Sequence, residues 1–101
     1  YAEIVDMAYA LEDQAVTEDT FRLYGKITSI DTAWSEDYKN ITVTMEVAGR
    51  EDKPIQCFRL KGDGADKIGA GDIITVTGKL TAYNGTAQFD KTATVTVVAK
   101  A

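Results

Sequence analysis

The side chains that could do covalent or metal chemistry are few, and their spacing argues against it. The chain of 101 residues has one cysteine, Cys57, and no histidine. An internal disulfide is impossible, and zinc sites built from Cys and His lose their usual ligands. Cys57 sits in Pro54-Ile55-Gln56-Cys57-Phe58-Arg59-Leu60 between apolar neighbours, which suits a small buried core residue. As a nucleophile the thiol would need an activating base, and the commonest one is absent. Asp31, Glu36 and Asp37 are close in sequence, but they lack the Asp-x-Asp-x-Asp-Gly spacing of a Ca²⁺ loop, so a solvated loop is the plainer reading. Gly62-Asp63-Gly64 is not followed by the Lys-Ser/Thr of a phosphate-binding loop and reads as a turn. These residues point to a protein that is not an enzyme and takes no metal or cofactor.

The bulk properties bound the alternatives. This length allows one domain with one core. No stretch approaches the ~18 to 20 apolar residues of a membrane-spanning helix, and no charged-then-apolar signal segment opens the chain. The start at Tyr1 rather than Met is expected of a piece processed or excised from a larger protein. Residues 1–20 hold six acids and no base, whereas residues 21–101 hold eleven bases and ten acids. The acidic cluster reads as a solvated helix face and connector. The near-neutral remainder lacks the basic footprint of a protein that binds nucleic acid through phosphate contacts.

The elements that must position any site are mostly strands. Residues 1–14 have helical periodicity, with Ile4, Met7 or Ala8, and Leu11 recurring every three or four residues. Residues 13–20 break that pattern and form a connector. Phe21–Ile30 reads as a first strand with Leu23, Gly25 and Ile27 on one face; Ile30 is out of phase, which implies a bulge or a passage between sheets. Asp31–Lys39 is a polar loop with the only Trp. Asn40–Val47 alternates cleanly, with Ile41, Val43, Met45 and Val47 inward. Pro54 is expected to open a third strand, since inside a ladder it removes a donor. In Ile55–Leu60 the face is ambiguous, because Ile55/Cys57 and Phe58/Leu60 fall on opposite sides. A glycine-rich link, with one helical turn around Ala65–Ile68, leads to the alternating run from Gly71 to Gly85. Gly78 interrupts its apolar face where a strongly bent strand needs a residue without Cβ. Asn84-Gly85 supplies a two-residue type I′ hairpin turn, Thr86–Phe89 follows, and the chain ends in Thr94–Val98.

Leu23-Tyr24-Gly25-Lys26-Ile27, Gly71-Asp72-Ile73, Val76-Thr77-Gly78-Lys79-Leu80, Tyr83-Asn84-Gly85 and Gln88-Phe89 together resemble the oligonucleotide/oligosaccharide-binding (OB) fold. The resemblance implies a mainly β chain: a five-stranded Greek-key barrel over residues 21–98 with an N-terminal α-helix over residues 1–14. Residues 53–62, Lys-Pro-Ile-Gln-Cys-Phe-Arg-Leu-Lys-Gly, narrow it to uncharacterised OB-type modules in secreted or surface proteins of Gram-positive bacteria, particularly gut-dwelling ones.

That resemblance also implies where a ligand would lie, across the second and third strands between the loops that flank them. On this sequence the candidates are Trp34 and Tyr38 in the first loop, Thr42, Thr44, Arg59 and Lys61 on or beside the strands, and Tyr83 and Asn84 at the second loop. Aromatics there would stack on bases or sugar rings, and Arg59 and Lys61 would meet phosphates or carboxylates. Equally, Trp34 and Tyr38 could pin their loop to the barrel, and Tyr83 could flank its hairpin. The expected role is a non-catalytic binding or accessory module of an extracellular multidomain protein, engaging a glycan, surface polymer or protein. The alternatives are a single-stranded nucleic-acid-binding domain, which would be cytoplasmic, and a structural spacer without a ligand. Oligomeric state is not legible.

Overall fold

The computed structural model describes residues 2–47, 49–62, 64–83 and 85–100. One helix, α1 (Ala2–Tyr9), precedes seven strands: β1 (Phe21–Ser35), β2 (Asn40–Val47), β3 (Arg50–Leu60), β4 (Ile73–Gly78), β5 (Leu80–Tyr83), β6 (Thr86–Phe89) and β7 (Thr94–Ala99). A 3₁₀ turn spans Ala65–Lys67. The strands form one mixed sheet in the order β5-β6-β3-β2-β1-β4-β7. Among the described residues the β3–β6 ladder is parallel and the other ladders are antiparallel, and an isolated parallel bridge joins Lys61 to Thr94.

This architecture overturns the five-stranded Greek-key barrel. The chain is mainly β, but its seven-stranded sheet is open, with β5 and β7 as edges. Two local causes account for the difference. The expected fourth strand is broken at Lys79: up to Gly78 the chain pairs with β1, and from Leu80 it pairs with β6. The Lys79 carbonyl leaves the ladder to accept from Asp90 N at 2.9 Å. The alternating Thr/Val tail, meanwhile, is itself a strand and pairs along β4 from Thr77↔Thr94 to Ile73↔Ala99.

Alternation of side chains builds the core. Leu23 and Ile27 of β1, Ile41, Val43, Met45 and Val47 of β2, Ile74 and Val76 of β4, Leu80 of β5 and Phe89 of β6 are all buried. Burying a side chain such as Phe89 stabilises by about 1.5–3 kcal/mol. Gly78 is also buried, and a Cβ there would lie 2.5 Å from Ala93 Cβ and 2.7 Å from its Cα. A glycine therefore lets the turn before β7 close against the end of β4. In the β5–β6 hairpin Tyr83 pairs with Thr86, and Gly85 has φ 81; the turn type depends also on Asn84, which lies outside the described residues.

Three further expectations are revised. The helix stops at Tyr9 rather than at residue 14 because the following segment bonds to the β5 edge instead. Gln14 N donates to Ala82 O at 2.6 Å, Thr17 N donates to Leu80 O at 2.9 Å, and Thr17 Oγ1 accepts from Leu80 N at 3.0 Å. The first strand runs on through Ser35, with register shifts at Ile27/Ser29, Ile30/Thr32 and Thr32/Ser35, so most of the expected loop is strand. Pro54 lies inside β3 rather than at its start. It is tolerated because the β2–β3 register jumps from Met45↔Ile55 to Val47↔Arg50, which leaves no ladder bond there for it to break.

α1 packs Val5 and Ala8 into the core. An ion pair guides its placement: Arg50 Nε and Nη2 donate to Asp6 Oδ1 and Oδ2 at 2.9 and 3.0 Å, and Lys53 Nζ reaches Oδ1 at 3.3 Å. Tyr9 adds a hydrogen bond from its hydroxyl to Pro54 O.

Two measurements check this description. Gly78→Ala is expected to destabilise by about 1–3 kcal/mol through overpacking against Ala93, read as a lower urea midpoint, with Gly78→Ala/Ala93→Gly recovering part of the loss. The Arg50 and Lys53 bonds outweigh the opposing desolvation and lower the Asp6 pKa to about 2 from 3.8. A depressed folded-state pKa contributes stability above the unfolded value and loses it on acidification. The gap in melting temperature between wild type and Asp6→Asn should thus be full at pH 5, shrink below pH 4, and vanish below pH 2.

Candidate functional site

The site begins where β3 breaks its alternation. The register passes from Val43↔Cys57 to Ile41↔Leu60, so Thr42 alone faces both Phe58 and Arg59. This is a β-bulge. It resolves the ambiguous face: Ile55, Cys57 and Leu60 are all buried, while Phe58 and Arg59 both point outward. Arg59 takes φ 51 and donates its backbone N–H to Thr42 Oγ1 at 3.1 Å. The Arg59 guanidinium carbon lies 5.0 Å from the centroid of the Phe58 ring, within cation–π range.

Around this bulge lie three hollows that share lining residues. Phe58, Arg59 and Thr42 line a groove of about 620 Å³ with Tyr38, Asn40, Thr32 and Ser35. A hollow of about 220 Å³ shares Tyr38, Asn40 and Arg59 and adds Lys61, Lys91 and Thr92. Across Phe58, a third of about 430 Å³ runs past Val16, Ala82 and Tyr83 and ends at Asp90 and Lys91. Tyr38 is 80% exposed, Tyr83 51% and Phe58 36%.

Local bonding fixes the rims. Ser35 O accepts from Lys39 N at 2.7 Å and Ser35 Oγ from Tyr38 N at 3.2 Å, forming the tight turn that presents Tyr38. Lys61 O accepts from Val95 N at 2.9 Å, and the turn carrying Lys91 is held by Ala93 N donating to Asp90 O at 3.1 Å. Among the described residues no carboxylate lies within ion-pairing distance of Arg59, Lys61 or Lys91.

Of the residues proposed from sequence, Tyr38, Thr42, Arg59 and Lys61 come together here, and Tyr83 joins through the adjoining groove. Trp34 does not: it is half-buried against the core, with Nε1 donating to Glu36 at 3.1 Å. Thr44 faces a separate polar hollow of about 340 Å³ with Asp31, Gln56, Tyr9, Pro54, Gly85 and Thr86. Asn84 lies outside the described residues. Sequence reasoning missed Phe58, Asn40, Lys91 and Thr92. The signal for Phe58 was present, since a bulge is the way to bury both Cys57 and Leu60.

The possible Ca²⁺ ligands do not converge. Asp31 accepts from Thr44, Gln56 and Ser29, while Glu36 binds Lys39 and Trp34. Among the described residues no three His, Cys, Asp or Glu side chains gather as a metal site, and no helix is long and apolar enough to cross a membrane. Burial, with a smaller contribution from the Asp31 charge, pushes the Cys57 thiol far up, so it stays protonated in the core.

A scan against protein-family models finds no match to this chain, and a search of curated proteins finds none either. Function must therefore be argued from the site.

The left-handed backbone at Arg59 is testable. A non-glycine residue there carries about 1–2 kcal/mol of strain, part of which is offset by the greater unfolded-state freedom of glycine. Arg59→Gly is expected to stabilise the fold by up to about 1 kcal/mol in urea denaturation, although it removes a charged side chain from the groove.

Proposed function

We propose that this chain is a non-catalytic binding module, and that its contact surface is the aromatic and cationic groove around the Phe58–Arg59 bulge. Its ligand is a glycan or surface polymer, engaged on behalf of a larger extracellular protein. One observation carries this reading: Tyr38, Phe58 and Tyr83 are exposed beside Arg59, Lys61 and Lys91 in linked hollows. Exposed aromatic faces offer flat apolar contact to sugar rings, and the cations offer charge-assisted hydrogen bonds to acidic substituents. A second reading, single-stranded nucleic acid, is favoured by the stacking of Arg59 on Phe58, an arrangement that also accepts bases.

Pull-down on a polysaccharide panel tests the first reading. Tyr38→Ala and Tyr83→Ala should each weaken retention by roughly five- to a hundredfold, corresponding to about 1–3 kcal/mol per stacked ring. Indifference of the wild type to every polysaccharide would count against a glycan ligand. The nucleic-acid reading instead requires an oligonucleotide mobility shift that weakens steeply with salt and depends on Arg59 and Lys61.

A further inference from the structure

Resting on that reading, we infer that the ligand is an oligosaccharide carrying an acidic group at one end of the bound stretch and uncharged, hydroxyl-rich sugar at the other. The face along β2 has two chemically opposite ends. Thr42 lines the hollow that contains Arg59. Thr44, two positions along the same strand and so about 7 Å away, lines the polar hollow that contains Asp31 and Gln56. A ligand of one or two sugar rings can touch both.

The chemistry of the second end is set by a chain of side-chain bonds across four strands. Asp31 Oδ1 accepts from Ser29 Oγ at 3.0 Å, and Oδ2 accepts from Thr44 Oγ1 at 2.5 Å and Gln56 Nε2 at 3.2 Å. Gln56 Oε1 in turn accepts from Gln88 Nε2 on β6. Desolvation pulls the Asp31 pKa upward, but these three donors outweigh it and hold the pKa below its usual value. The carboxylate is ionised at neutral pH. A carboxylate and amides held rigidly at a hollow accept and donate to sugar hydroxyls without reordering.

The same carboxylate discriminates against other ligands. A nucleic acid or a polyuronate carries negative charge along its whole length, so it gains at Arg59, Lys61 and Lys91 and is repelled at Asp31. Like-charge juxtaposition is an effective device for excluding a wrong partner. A neutral glycan satisfies Asp31 but leaves the three cations without a partner. Only a ligand of mixed character suits both ends.

Isothermal titration of the whole chain tests this with four probes: a glucuronate-bearing xylo-oligosaccharide, an uncharged xylo-oligosaccharide of equal length, an oligogalacturonate and oligo(dT). The mixed oligosaccharide should bind tightest. Arg59→Ala, or Lys91→Ala at an exposed turn if the bulge variant folds poorly, should weaken it tenfold or more and weaken the uncharged probe far less. Asp31→Asn should weaken the mixed probe and strengthen oligogalacturonate and oligo(dT). Equal affinity for the charged and uncharged xylo-oligosaccharides overturns the inference while the glycan reading stands. Tightest wild-type binding to oligogalacturonate overturns the inference alone, and tightest binding to oligo(dT) overturns both. Absence of binding to all four also overturns it, and the polysaccharide pull-down then decides separately whether the broader reading survives.

Discussion

A single residue, Lys79, constrains the whole molecule. It joins β4 to β5, yet in the sheet order β6, β3, β2 and β1 lie between those two strands. Two virtual bonds of 3.8 Å span at most about 7.6 Å, so Gly78 and Leu80 must be close. A sheet whose distant members are tied this tightly has to coil, with the inward residues of every strand packed between its two halves. Gly78 makes the junction possible by admitting Ala93 where a Cβ would stand. The 14–17 segment then bonds along β5, leaving β7 as the less protected edge of the open sheet.

Coiling also assembles the candidate site. Tyr38, Phe58, Tyr83 and Lys91 belong to four separate segments, and they share hollows because the coil brings the β1–β2 turn, β3, β5 and the turn before β7 to one side. The bulge does the rest. With regular alternation, either Leu60 or Cys57 would leave the core, at a loss of roughly 1.5–3 kcal/mol for a large side chain. A left-handed Arg59 carries strain of about 1–2 kcal/mol, which that burial and the Thr42 hydrogen bond offset. Exposure of two consecutive side chains, Phe58 and Arg59, is thus a by-product of keeping both inward neighbours buried.

Much of this was legible in the residues themselves. Strict alternation identified β2 and the inward set of β1, and Gly85 marked a hairpin; Gly78, read as a bend within one strand, is where that strand ends. Cys57 was recognisable as core from its apolar neighbours. What was not legible depended on contacts between distant segments. The break at Lys79 follows from Ala93 pressing on Gly78 and from Asp90 drawing the Lys79 carbonyl away, neither of which leaves a local pattern. The short helix is explained by the β5 edge, a partner that lies more than sixty positions along the chain. Trp34 and Tyr38, four residues apart in an apparent loop, separate because β1 continues to Ser35 and carries Trp34 onto the core. Lys91 became visible only once the coil brought it to the hollow that Arg59 lines, whereas Phe58 was foreshadowed by the need to bury both Cys57 and Leu60.

The distribution of charge is what turns a folded surface into an argument about ligands. Elsewhere the cations are engaged or scattered: Lys39, Arg50, Lys53 and Lys100 all have carboxylate partners, and Lys26 lies in a hollow with Glu46 and Glu51. Arg59, Lys61 and Lys91 instead converge from β3, its C-terminal end and a distant turn on one hollow. Like charges do not attract one another, so packing gives no reason for these three to share a hollow. In a chain with a net charge of −5, acids to neutralise them are plentiful, yet none is among the described residues lining the hollow that these three cations share; the nearest by sequence, Asp90, lines the adjoining hollow and accepts from Thr92. A concave surface lined by one sign of charge focuses the field toward whatever enters it. On the proposed reading the entering group is an anion that stops short of Asp31, and that steric and electrostatic limit favours a single acidic substituent over a continuous backbone of charge.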